Sequence, residues 1–197
     1  MPRRDASSIS TPEAPDSRLL QALAEVVADK GLGAVTVADV VRVAGVSKRT
    51  FYEQFADKDV CFLTLYRLAS ASALDTLRAA VQPALPWQTQ VETALRAYFA
   101  HLSAGPRLLR TLFVEIHHLG EAGAVARREV MTSLAGFMCE TVNRDRPAEQ
   151  ALSPAMAMAA VGAITELVLQ AIERNEQAEL ERLVPVASAI VRRLAQA

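Results

Sequence analysis

Apolar side chains recur along most of this chain at intervals of three and four, the spacing that gathers them on one face of an α-helix. Leu19, Leu20, Leu23, Val26 and Val27 make the first such face, opening near Asp16 or Ser17 and closing at Lys30-Gly31. Val37, Val40 and Val41 make a shorter one behind Thr36, and Asp39 predicts a capping box with Asp in place of Glu. Gly45 supplies a turn position free of Cβ strain. Ser47 then caps a second short helix, whose Phe51 and Phe55 lie four apart and share a face. Asp57 caps a fourth helix from Lys58 to about Val81, with Phe62, Leu65, Tyr66 and Leu68 inward, and Pro83 and Pro86 end it.

No strand-like alternation follows. The pattern predicts a helix from Trp87 to Leu102 (Val91, Leu95, Tyr98, Phe99 and Leu102 inward) and one from Pro106 to about His117. Gly120 and Gly123 are expected to loosen the chain before a long helix to Asn143, and a polar connection leads to Leu152. Ser153-Pro154 opens a very apolar helix through Ile172. The last helix covers about Leu180 to Gln196 and either kinks at Pro185 or begins there. The expected fold is all-α, with about nine helices and no internal repeat.

Composition narrows the function classes. The 197 residues are 51% hydrophobic and 5% aromatic, which suits helices packed through Ala, Leu and Val. The 21 basic and 22 acidic residues nearly cancel, and residues 1–60 hold 8 against 9, so bulk charge does not announce a nucleic-acid partner. Any affinity for phosphate has to come from placement, as in the cluster Arg42, Lys48, Arg49 and Lys58. Cys61 and Cys139 have no metal or redox spacing and read as reduced, buried hydrophobes. No uninterrupted apolar run reaches the ~20 residues of a membrane span, and Met1-Pro2-Arg3-Arg4 lacks a signal-peptide core. A soluble, cytoplasmic protein with no membrane partner is expected. His117 and Glu121 are four apart, but Gly120 interrupts the helix between them, so neither metal nor cofactor is expected. No nucleophile–base pair or paired carboxylates argue for an enzyme.

The stretch Thr36–Lys58 carries the functional signal. Two aromatic anchors point inward, and Lys48, Arg49, Tyr52 and Glu53 are left outward, a geometry that suits the DNA major groove. Ala44-Gly45-Val46-Ser47, Thr50-Phe51-Tyr52, Phe55 and Lys58 together resemble the helix-turn-helix signature of the tetracycline-repressor (TetR) family. The resemblance is motif-strong over residues 17–65 and architectural beyond. It implies that Lys48, Arg49, Tyr52 and Glu53 face bases, and that Thr50, Gln54 and Lys58 hold phosphates. Thr36 and Ser47, at the two helix starts, complete the expected DNA-binding set. Arg49 departs from the family's usual small residue; it either reads guanine or pairs with Glu53.

The expected organisation is a disordered tail (1–15), a DNA-binding head (16–60) and a helical ligand-binding and dimerisation part (61–197). The last two helices carry more apolar surface than one core needs, so Val161, Ile164, Val168, Ile172, Ile190, Val191 and Leu194 are expected at a homodimer interface. Phe99, Leu109, Phe113, His117, Met131, Leu134, Phe137, Met138, Thr165 and Glu166 are the candidates for an effector pocket. The expected function is a ligand-responsive regulator that binds a palindromic DNA operator as a dimer and is released by a small, largely apolar effector. A DNA-binding regulator without a small ligand and, further off, an all-helical enzyme are the alternatives.

Overall fold

Nine α-helices order the described residues, α1 (Ser17–Lys30), α2 (Val37–Ala44), α3 (Lys48–Gln54), α4 (Lys58–Ala80), α5 (Trp87–Ser103), α6 (Pro106–Glu115), α7 (Gly120–Asn143), α8 (Pro154–Glu173) and α9 (Val184–Leu194). The computed structural model describes residues 17–196, and no strand occurs among them. The expected tail at 1–15 lies outside the described residues.

Local chemistry sets the helix ends. Thr36 and Asp39 form the expected capping box, with Asp39 N–H donating to Thr36 Oγ1 at 3.3 Å and Thr36 N–H to Asp39 Oδ2 at 3.1 Å. Gly45 closes α2 at φ 68°, a left-handed conformation that a Cβ would strain. The side chains of Asp57 and Ser153 cap α4 and α8. Pro185 lies in the first turn of α9, where its missing N–H costs nothing; the residues before it form a 3₁₀ turn, Gln177–Leu183. The helix therefore begins at Val184, one residue before the proline, and does not kink there. The polar connection after α7 is tied down by Asn143, whose side chain bonds both the N–H (2.8 Å) and the C=O (3.0 Å) of Leu152.

Gly120 and Gly123 do the opposite of loosening the chain. A 3₁₀ turn, Ile116–Leu119, joins α6 to α7, and α7 starts at Gly120 itself. A Cβ on Gly123 would come within 2.1 Å of the Ile116 carbonyl oxygen. The glycine lets this corner close.

Two apolar cores result. The first joins α1, α2 and α3 to the start of α4, through Leu23, Val40, Phe51 and Phe62, and also takes in Leu112, Ile116 and Ala126 from α6, its following turn and α7. The second fills the space between α5, α7, α8 and α9. Leu68, expected inward, is 47% exposed, at the edge of the α4 face that buries Leu65 and Tyr66. By length and composition alone α4 and the Ala148–Glu173 stretch would pass for membrane spans. Both pack as inner helices of the bundle instead: α4 against α1, α5 and α7, and α8 against α7 and α9.

The second core corrects the expected dimer interface. Val161, Ile164, Val168, Ile172 and Val191 are at most 7% exposed within a single chain, and only Ile190 and Leu194 are half-buried. Helix α8 is apolar nearly all round, so periodicity alone does not say which side its own chain covers. The side left outward carries Met156, Ala159, Ala163 and Leu167, and α9 adds Val186.

Candidate nucleic-acid interface and effector cavity

Helix α3 is held by one cap and two rings. Ser47 Oγ accepts the Thr50 N–H at 3.0 Å and lies 2.9 Å from Thr50 Oγ1. Phe51 is fully buried and Phe55 nearly so, with ring centroids 5.6 Å apart. Truncating such a ring costs about 3–5 kcal/mol, so the helix is firmly oriented. The other side is open: Lys48, Arg49, Tyr52, Glu53 and Gln54 are exposed, Tyr52 by 56%, and Thr50 is half-buried. Tyr52 rests edge-on against Phe51 at 5.5 Å, so its hydroxyl end is presented from a fixed base. Arg49 Nε donates to Glu53 Oε1 at 2.9 Å. That pair is highly exposed, and an exposed i,i+4 pair contributes only about 0.3–0.5 kcal/mol. A bidentate guanine contact, at about 1–3 kcal/mol, would displace it.

Two expected DNA ligands are engaged internally. The Thr36 hydroxyl donates to Asp39 Oδ2 at 2.8 Å, and its N–H goes to the same carboxylate, so the capping box uses both donors. Lys30 Nζ joins them at 2.8 Å. The Lys30 and Thr36 hydrogen bonds lower the Asp39 pKa to about 2. The Lys58 ammonium turns back to donate to the carbonyls of Leu32 (2.6 Å) and Val35 (2.9 Å), with Gly33 O at 3.5 Å. Its protons are thus directed into the α1–α2 loop and away from the outward face of α3. A lysine at the first position of α4 looks from sequence like a free cation, because the loop it reaches lies more than twenty residues earlier.

The same loop is gripped from the other side. The Leu32 N–H donates to Glu115 Oε2 at 2.9 Å, and His118 Nδ1 lies 2.9 Å from that oxygen. Arg107 on α6 pairs with Asp29 on α1. No local pattern points to Glu115, because its partner is a backbone group 83 residues away.

Beyond these contacts lies a cavity between α4, α5, α6, α7 and α8. Leu109, Phe113, His117, Met131, Leu134 and Thr165, all expected there, line it. Its interior admits the centres of water-sized atoms over about 130 Å³, far more than the ~10–15 Å³ that one water needs. Phe137 and Met138 line a smaller second cavity instead, which shares Tyr98, Leu134 and Thr165 with the first as a common wall. Phe99 is fully buried in the core, and Glu166 is exposed on α8, where it accepts from Gln170 at 3.4 Å; neither lines a cavity. Tyr66, Tyr98, His101 and Arg127 line the first cavity and were not singled out from sequence. Arg127 left a readable trace, as the one charge interrupting the apolar stripe Gly123, Val130, Met131 and Leu134.

The cavity and the loop grip share their elements. Helix α4 carries Lys58 at one end and Tyr66 to Ala73 along the cavity, roughly 12–22 Å further on at about 1.5 Å per residue. The α6–α7 corner carries Glu115 on the loop and Phe113, Ile116 and His117 on the cavity.

Among the described residues no cluster of three or more His, Cys, Asp or Glu side chains has metal-binding geometry. Both cysteines are free thiols. Burial pushes Cys61 up to about 12, and burial with the Glu140 charge raises Cys139, so neither is a ready thiolate.

Residues 19–65 match the model of the bacterial regulatory proteins of the tetR family. Solved structures resemble the whole fold. The fatty acid degradation regulator FadR from Bacillus halodurans superposes with a TM-score of 0.78 at 18% identity, covering 92% of this chain and 96% of its own. FadR from Bacillus subtilis, solved in complex with stearoyl-CoA, gives 0.73 at 16% identity, covering 89% and 96%. A transcriptional regulator from Rhodococcus sp. RHA1 gives 0.72 at 20% identity, covering 91% and 97%. No curated protein matches the chain. The helix-turn-helix segment, residues 19–65, is thus similar to the DNA-binding part of the bacterial regulatory proteins of the tetR family, and the fold around it is similar to that of the solved regulators.

Proposed function

We propose that the protein is a dimeric, ligand-responsive transcriptional repressor of the cytoplasm, with no enzymatic activity. The observation that carries this reading is the division of α3, with Phe51 and Phe55 buried and Lys48, Arg49, Tyr52 and Glu53 outward. Those four side chains read bases, and Thr50 and Gln54 lie beside them for the backbone. Residues 16–60 supply the DNA-reading head, and 61–197 the effector and dimer contacts. The second copy covers the outward row Met156, Ala159, Ala163 and Leu167 of α8 together with Val186 and Ile190 of α9. Two heads related by a two-fold axis then meet half-sites about one DNA turn, ~34–36 Å, apart.

The effector fills the cavity and acts through the elements that line it. A molecule that prefers one setting of α4 and the α6–α7 corner shifts the loop held by Lys58 and Glu115. Tenfold weaker operator binding needs a difference of only ~1.4 kcal/mol between the two states. A largely apolar effector is supported by the leucine, phenylalanine and methionine walls, and by the acyl ligand bound to the B. subtilis neighbour of the same fold.

Selection of bound DNA from a random pool tests the reading. The expected outcome is a near-palindrome with half-sites one turn apart, lost in Tyr52→Ala and weakened in Leu167→Glu, which also shifts the protein toward monomer in sedimentation. Enrichment of no sequence, or of a single asymmetric half-site, would overturn it.

A further inference from the structure

The lining of the larger cavity includes a cationic side chain and two phenols. Arg127 on α7 lines it with no carboxylate in ion-pair range among the described residues, and its Nη1 faces the Met131 sulfur at 3.3 Å. Tyr66 on α4 and Tyr98 on α5 line the same space, and neither hydroxyl has a hydrogen-bond partner among the described residues. Burial raises the pKa of both phenols, so both stay protonated at neutral pH; Tyr98 is raised further by Tyr66, and Tyr66 is drawn back by Arg127. The three groups are therefore electrostatic neighbours. No Asp or Glu lines the cavity. A fixed cation and two phenolic O–H groups that line the cavity without acceptors among the described residues are complementary to an oxyanion.

The second cavity sets the rest of the molecule. Tyr98, Leu134 and Thr165 form its common wall with the first. Beyond that wall its lining carries no charged side chain and is built from residues such as Leu77, Val91, Phe137 and Met138.

Resting on the effector reading above, we propose that the ligand is an anionic amphiphile, a carboxylate with an unbranched hydrocarbon tail. Arg127, Tyr66 and Tyr98 hold the carboxylate. The tail passes Leu134 and Thr165 into the second cavity. Charge-assisted bonds to the head give the site its preference for acids, and the apolar channel gives it a preference for tail length.

The test uses the full chain and saturated monocarboxylates of eight to twelve carbons, with 1-alkanols and methyl esters of matched length, by titration calorimetry. The acid is expected to bind at least tenfold tighter than the alcohol of equal length. Arg127→Met should abolish that preference while leaving alcohol binding intact, and Arg127→Lys should retain most of it, which separates loss of charge from loss of fold. Tyr98→Phe should cut acid affinity severalfold. Equal binding of acids and alcohols, an unchanged preference in Arg127→Met, or no binding by any probe would overturn the proposal. A parallel titration of the selected operator complex reads the underlying function. Tight acid binding that leaves DNA affinity unchanged would sustain the site and overturn the effector role.

Discussion

Replacing Lys58 by Met keeps the aliphatic stem and deletes the ammonium, so it isolates the grip on the α1–α2 loop. The structure gives that ammonium two short bonds, to Leu32 O at 2.6 Å and Val35 O at 2.9 Å, and a marginal third. A hydrogen bond to a charged group contributes about 1.5–3 kcal/mol. Lys58 is half-buried, so water replaces part of what is lost, and the net cost is set near one such bond, about 1.5–3 kcal/mol. At about 2–4 °C per kcal/mol for a chain of this size, the melting temperature should fall by about 3–12 °C. Calorimetric melts measure this directly. Operator binding across a salt series gives the second reading, because a phosphate contact would flatten the salt slope by about one unit. Lys58→Met should lower stability and leave the slope nearly unchanged. An unchanged melting temperature with a flattened slope would refute the loop assignment and return Lys58 to the DNA.

Three further outcomes follow from the same geometry. Asp39 has its folded pKa lowered to about 2, against about 3.9 unfolded, so its contribution is complete above about pH 4 and fades as the pH falls toward 2; urea midpoints of wild type and Asp39→Asn should differ at pH 6 and converge near pH 2, and a constant gap would contradict this. Gly123→Ala puts a methyl group on the Ile116 carbonyl, and the α6–α7 corner must open, destabilising by about 1–3 kcal/mol in denaturant titration; an equally stable variant would show that the corner yields freely. Glu115→Ala removes the acceptor of the Leu32 N–H, and hydrogen exchange at that amide should accelerate; unchanged protection would remove Glu115 from the link between cavity and head.

Features that depend on neighbours in sequence were legible before the fold. The Thr36–Asp39 box, the Gly45 turn, the Ser47 cap and the inward pair Phe51 and Phe55 are set within a few residues, and each stands where spacing put it. Features that depend on distant neighbours were not legible. Lys58 and Glu115 meet backbone groups of one loop that lies 26 and 83 residues before them, and nothing in their local pattern encodes that. On α8, an apolar surface extending almost all round hid which side faces the chain's own core, so most of the residues expected at an interface are ones that core covers. Of the ten residues expected at a pocket, six line the larger cavity and two the smaller, because they sit on faces turned toward one another, whereas Arg127, a charge on such a face, was passed over.

Leu112, Ile116 and Ala126 share an apolar cluster with Phe51 and Phe62. The DNA-reading end is therefore no bead on a string. Excised at residue 60, it would expose a seam that α6 and α7 normally seal, and a chimaera spliced there would inherit a mismatched joint. New operator preferences are open to such a protein by changing the exposed positions of α3. Exchanging the whole end would require re-fitting the seam in step.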